Sequence, residues 1–485
     1  MKSLRPFLAI ALAVLLSGCE VGPKYVRATA PTSTNFKEQP PDSFKEAGQW
    51  KTAQPADQSL RGKWWEVFGD PQLNSLEDQL TISNQNLKVA EARLRKARAA
   101  VRFNRAAQFP TISTGPSIES LHASGNRPYI HTTSNTGDFV LPIDFSYEVD
   151  LWGRVRRTVA AAREEAQATT ADYATASLSL HAELAIDYFE LRSADAQKQL
   201  LDDTVKAYTD ALQLTTNRFL GGVAPKSDVA QAQTQLDTTR VQDTDVTVAR
   251  AQYEHAIAIL IGKPPAELTI APAPLNSQPP IIPGALPSEL LERRPDIAAA
   301  ERRMAEANQQ IGIARAAYFP TLSLNGSAGF EGTSLLNWFT WPSRFWAVGP
   351  QMLQTLYDGG RRRANSETAL ANYDATVATY RQATLTAFQE VEDNLAALRI
   401  LSDEDQQQTQ ATTSAQESLQ LFTNRYKGGV DTYLQVINAQ TVALQNERNN
   451  VDIQRRRMDA SVLLIKALGG GWSSSQLPNE SSIRN

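Results

Sequence analysis

The chain has 485 residues, 42% hydrophobic and 21% charged, with a formal net charge of −4 and a mean hydropathy of −0.36. That is ample material for packing, yet beyond the N-terminal leader no run of roughly 18 apolar residues occurs, which excludes transmembrane helices but not the strands of a β-barrel. The slightly acidic balance excludes the basic footprint of a nucleic-acid binder, and a single cysteine excludes an internal disulfide or a cysteine-based metal site.

Lys2 and Arg5 precede the apolar run 7–16, and Leu16-Ser17-Gly18-Cys19 follows. This spacing resembles a bacterial lipoprotein signal, with residues 1–18 removed and Cys19 acylated. Two or more acyl chains anchor stably where one does not. Glu20 is not the Asp associated with retention at the inner membrane, so the address points outward. Residues 19–60 are polar and aperiodic and read as an extended segment.

A first repeat is expected over 61–263. Trp64-Trp65-Glu66-Val67-Phe68-Gly69-Asp70-Pro71-Gln72-Leu73 opens a helical segment that ends near Ala107, before Phe109-Pro110. The period then changes to two: Phe139, Leu141, Ile143, Phe145, Tyr147, Val149 and Leu151 alternate with Asp144, Ser146, Glu148 and Asp150, a strand with one apolar and one acidic face. Residues 154–220 contain no glycine or proline and predict one helix of about 100 Å at 1.5 Å per residue. Gly221-Gly222-Val223 breaks it, and a shorter helix over 226–261 must run back beside it.

A proline-rich linker over 264–295 leads to a second repeat over 296–472, and a polar tail occupies 473–485. The repeats share Arg218-Phe219-Leu220-Gly221-Gly222-Val223 with Arg425-Tyr426-Lys427-Gly428-Gly429-Val430, and Ala106-Ala107-Gln108-Phe109-Pro110-Thr111 with Ala316-Ala317-Tyr318-Phe319-Pro320-Thr321. Anchors at nearly one offset mark a tandem duplication. The second long run is 361–427 and its return helix 431–468. On that helix Leu434, Ile437, Thr441, Leu444, Arg448, Val451, Arg455, Met458, Val462 and Ile465 form one seam. Val436, Ala439, Ala443, Ile453, Ala460, Leu464 and Ala467 form another, as suits a helix packed on two sides.

Each repeat offers a hairpin, 109–120 with 139–151 and 319–330 with 345–356, and Trp338, Phe339, Trp341 and Trp346 gather at strand ends as at a membrane interface. Four strands cannot close a barrel, and an open sheet in lipid leaves backbone groups unpaired at several kcal/mol each. Three chains give about twelve strands around a water-filled lumen, whereas two give about eight, filled by side chains.

The Trp64–Leu73 opening, Arg293-Arg294-Pro295-Asp296, both Phe-Pro-Thr strand starts and Ala467-Leu468-Gly469-Gly470-Gly471-Trp472, in this order, resemble the outer-membrane factors of the TolC and OprM type, in their lipoprotein branch. The resemblance implies a mainly α protomer with a membrane β portion. It implies a homotrimer with a twelve-stranded β-barrel in the outer membrane, four strands per chain, and an α-barrel crossing the periplasm. It further implies a passive exit duct without cofactors, served by an inner-membrane pump, proton-driven in this branch, and a periplasmic adaptor. The adaptor contacts fall on Gly221, Gly222, Val223, Gly428, Gly429 and Val430, and the closed aperture on Leu434 and Asn438, where relatives often carry Asp at the second position. Asp144, Ser146, Glu148 and Asp150 line the pore.

Catalysis finds no support: His122, His131, His181 and His255 lack metal-ligand spacing, and there is no phosphate loop or nucleophile elbow. Two other readings remain, a lipoprotein that braces the envelope without conducting and the duct of a type I secretion system.

Overall fold

The computed structural model describes residues 20–31, 36–38, 62–122, 124, 126, 135–275, 277–282 and 290–478. The leader and Cys19 lie outside them. The main elements in chain order, short helical turns aside, are α1 (Pro71–Ser83), α2 (Gln85–Ala106), β1 (Thr111–Ser113), β2 (Ser117–Leu121), β3 (Thr136–Val149), α3 (Arg154–Leu220), α4 (Lys226–Leu260), α5 (Pro295–Ala316), β4 (Thr321–Gly332), β5 (Arg344–Leu353), α6 (Arg361–Lys427) and α7 (Tyr433–Ala467).

The two breaker-free runs are single helices of 67 residues each, so each spans about 100 Å. Near the strands α3 and α6 are flanked by α2 and α5; toward the other end the return helices α4 and α7 lie beside them. The hydrophobic core sits between, at mid-height of the rods, where Trp64, Phe68, Leu73 and Leu80 meet Leu184, Tyr188 and Phe189 of α3, Val391 and Leu398 of α6, and the ends of α4 and α7. A bare rod cannot bury its apolar stripe, so packing at this level fixes the helices relative to one another.

The expected first helix breaks into α1 and α2 at Asn84, whose backbone is extended and whose side chain accepts the Leu87 amide proton at 2.9 Å while donating to the Leu260 carbonyl at 2.7 Å. Asparagine competes with the helix for backbone partners and here caps a new one. The proline-rich segment also differs from a free linker. Ile270 and Ile282 are buried in the core, and its backbone is gripped by buried charge: Arg192 and Arg250 donate to the Ala271 and Ile270 carbonyls, and Asp195 accepts the Ala273 amide proton.

Along α7 every member of the small-residue seam is buried. The other seam is buried at Leu444, Met458, Val462 and Ile465 only. Its polar members meet polar partners: Thr441 accepts from Gln235, Arg448 donates to Gln242, and Arg455 is held at 2.5 Å by Glu190 and at 2.9 and 2.8 Å by Asp452 and Asp459. Burial, with Glu190 nearby, pushes the Asp459 carboxyl up to about 7.

The strands form one antiparallel sheet in the order β1/β2, β3, β4, β5, so the two hairpins join side by side through β3 and β4. β1 and β2 share one line on β3, for Ser113 stands opposite Asp144 and Ser117 opposite Val140 in the same register. The gap falls where Pro116 and Pro142 withhold ladder protons, and the Thr114 hydroxyl bonds the Pro142 carbonyl at 2.6 Å instead.

Candidate functional site

The register places the alternation of β3 on continuous faces. Leu141 stands opposite Phe330, Ile143 opposite Ala328, Tyr147 opposite Leu324 and Val149 opposite Leu322; across the next pair Leu322 meets Met352, Gly326 meets Val348 and Ala328 meets Trp346. With Ile112 opposite Phe145, one face is apolar across all four strand positions. The other face carries Asp144 opposite Ser327, Ser146 opposite Asn325 and Glu148 opposite Ser323. There Ser146 bonds Asn325 at 3.0 Å, and the Asn325 amide reaches Ser323 and Gln351, each at 3.1 Å. Ile143, Trp346, Val348 and Met352 are 58, 77, 66 and 65% exposed in the isolated chain, and β1/β2 and β5 each leave an edge unpaired. Trp341 and Phe339 are exposed beyond the strands, whereas Trp338 folds back onto Phe139 and Phe339 and is buried.

At the other end of the sheet the strands pass into the rods. Asp150, expected in the pore-lining strand, lies just past the end of β3. Its carboxylate accepts the amide protons of Val155 and Arg156 at 3.0 and 2.9 Å and so caps α3, the favoured place for an anion at a helix N-terminus. Glu148 stays in the strand, but Arg154 holds both its oxygens, at 2.9 and 2.5 Å. The free acidity of the polar face is therefore less than a count of carboxylates suggests. Asp358 repeats the cap for α6, accepting from the Gly360 and Arg362 amides. Sequence reasoning missed both caps; the signal was Asp followed within three residues by Gly-Arg at the head of each breaker-free run.

At the far end α3 stops in a Schellman turn, in which the Gly222 amide bonds the Phe219 carbonyl and the Val223 amide the Arg218 carbonyl; Gly429 and Val430 repeat it on Tyr426 and Arg425. Only the second glycine of each pair is left-handed, Gly222 at φ +74 and Gly429 at φ +73; Gly221 and Gly428 sit at φ −78 and −76, which any residue adopts. Accordingly Gly222→Ala and Gly429→Ala are each expected to cost about 1 kcal/mol. Gly221→Ala and Gly428→Ala are expected to be near neutral, and amide hydrogen exchange at Val223 and Val430 reads the difference.

The two tips clamp one another. Asp431 pairs with Arg425 at 2.7 Å. The first repeat has Ala224 in place of that acid, so Arg218 instead reaches the Lys427 carbonyl at 3.0 Å and covers the Tyr426 ring. Beneath, Tyr426, Tyr433, Val436 and Ala232 form a small core. Leu434 and Asn438, on the first turns of α7, point away from it and are exposed, Leu434 by 49%.

Comparison with known proteins agrees with this arrangement. The family described as "Outer membrane efflux protein" matches residues 76–263 and 286–470. Similar proteins include the toluene efflux pump outer membrane protein TtgF of Pseudomonas putida, 33% identical over 96% of this chain and 97% of that protein. The outer membrane protein OprJ of Pseudomonas aeruginosa is 31% identical over 96% of each. Among solved structures the outer-membrane channel OprN superposes with a TM-score of 0.83 at 29% identity, covering 94% of this chain and all of that one. The open-state MtrE outer membrane channel of Neisseria gonorrhoeae gives 0.82 at 27%, covering 94% and 99%. With both repeats matched and relatives aligned along nearly the whole chain, the protein belongs to the outer membrane efflux protein family.

Proposed function

We propose that the chain is one third of a passive exit duct, in which three copies close a twelve-stranded barrel in the outer membrane and carry its lumen across the periplasm on the paired rods. The observation that carries this reading is the sheet: apolar on one face, polar on the other, unpaired at both edges, and too narrow to close alone. Asp144, Ser146 and Glu148 then border the lumen, and Cys19 carries the lipid anchor. Gly221, Gly222, Val223, Gly428, Gly429 and Val430 present the tips to a periplasmic adaptor that couples the duct to a proton-driven inner-membrane pump. The pump supplies energy and chooses the small molecules.

Leu434 and Asn438 are the side chains at the closed end, three of each around the axis. The asparagines hold no cation cluster, so closure rests on leucine packing. In planar bilayers the purified protein is expected to form channels, Leu434→Ser to raise single-channel conductance, and Asn438→Asp to introduce block by divalent cations. A protein that forms trimers but no channels is an envelope brace and not a duct. Unchanged conductance for Leu434→Ser removes that residue from the gate.

A further inference from the structure

The two repeats treat one helix face in opposite ways. On α5 that face is covered by residues 20–31: Asn308 donates to the Pro23 carbonyl at 3.3 Å, Tyr25 donates to Glu301, and a Cβ on Gly22 would lie 2.6 Å from the Gly312 Cα. At the repeat offset set by Phe109 and Phe319, Asn308 and Gly312 correspond to Arg98 and Arg102 of α2, and Arg315 corresponds to Arg105. Here no strap covers the helix among the described residues. Arg98 and Arg102 are exposed and Arg105 half-buried, and no ion pair to Arg98, Arg102, Arg105 or Arg315 occurs among the described residues. From Arg93 to Arg105 the helix has six basic residues and no acidic one.

Position gives this charge its meaning. Arg105 and Arg315 stand one residue before the ends of α2 and α5, and the strands start at Thr111 and Thr321. Arg98 lies eight residues, about 12 Å, before the end of α2. The headgroup layer beside the hydrocarbon is about 5–8 Å deep, and charge reaches about 8 Å further at physiological salt. Phe109, Tyr318 and Phe319 are exposed at the same level by 60, 43 and 38%, as in an interfacial aromatic belt. A strap tethered through Cys19 must run outside the wall, so the matching face of α2 also faces outward; this step rests on the duct reading.

We propose that Arg98, Arg102 and Arg105 of α2, with Arg315 of α5, form a collar that binds anionic phospholipid headgroups of the leaflet on the helix side. Guanidinium suits this role because its fork matches phosphate oxygens and is weakly hydrated. Arg105, in the last turn of α2, also sits at the negative end of the helix dipole, where a cation is favoured.

The test uses the mature protein in nanodiscs of phosphatidylethanolamine and phosphatidylglycerol, released into detergent and weighed by native mass spectrometry. Wild-type trimers are expected to retain phosphatidylglycerol over phosphatidylethanolamine, and that preference to fall about fivefold per arginine neutralised in Arg98→Gln, Arg102→Gln and Arg105→Gln combined. The matching Lys replacements keep most of it, and Lys206→Gln, far down α3, keeps all. The proposal is overturned by an unchanged preference in the Gln variant. Displacement of the lipid by free glycerol phosphate overturns it in favour of a soluble-phosphate site, and loss of trimers in the Gln variant overturns it in favour of a subunit contact. Conductance of the same preparations is recorded separately: a silent wild type refutes the duct while the lipid count still judges the collar.

Discussion

Ile143→Lys is expected to block insertion of the assembled protein while leaving its helices formed. Ile143 lies at the middle of the fourteen-residue strand β3, on the apolar face opposite Ala328, and more than half of it is uncovered in the single chain. A strand of this length spans the hydrocarbon even when tilted, which puts residue 143 near mid-depth. A lysine there costs about 2–4 kcal/mol per chain, and three copies incur it together. Asp144→Asn, one residue away but on the polar face, is expected to leave insertion intact and to reduce cation preference. Heat-modifiable migration of outer-membrane fractions separates the two. Normal insertion of Ile143→Lys with failure of Asp144→Asn would mean that the faces are inverted.

The parts of this fold legible in the sequence are those that obey one long periodicity. Residues 154–220 and 361–427 coincide with α3 and α6 because nothing in them can stop a helix, and a Schellman glycine follows each at once. The parity of β3 was legible because a strand with one buried face tolerates no slip. What escaped was set by contacts distant in sequence. Asn84 ends one helix and starts another because the Leu260 carbonyl waits for its amide, and no local pattern announces that. Ile270 and Ile282 lie among prolines that suggest a spacer, yet they fill the core because Arg192, Arg250 and Asp195 satisfy the backbone between them. At the tips Gly-Gly was read correctly as a turn, but the crossing of Arg218 to Lys427 depends on the absence of an acid at Ala224 and on two turns meeting in space.

His181 lacks metal-ligand spacing, yet it occupies a buried polar site beside the core. Its Nδ1 lies 2.5 Å from Glu77 Oε2, its ring stacks on Trp65 at 4.3 Å, and Glu77 is fully buried with its other oxygen unpartnered among the described residues. Burial disfavours charge on both groups, holding the Glu77 carboxyl well above its usual range and pushing the imidazole down to about 4. Burial therefore favours the uncharged form of each partner. His181→Ala strands the carboxyl and opens a void beneath Trp65, at an expected cost of roughly 3–5 kcal/mol. Glu77→Gln, which can still bond a neutral imidazole, is expected to cost about 1 kcal/mol. The double change to His181→Ala with Glu77→Leu should recover part of the loss, since an apolar pair leaves nothing unsatisfied. The pH dependence has a definite sign. The imidazole's folded value lies below its unfolded 6.5, so its contribution is present above pH 6.5 and is lost as pH falls through about 4. The Glu77 carboxyl is raised, so its contribution is present in acid and lost as pH rises through its folded value. Thermal unfolding of the detergent-solubilised protein from pH 3 to 8 should thus show an acid limb that His181→Ala flattens. An acid limb of equal steepness in that variant would remove the pair as its cause.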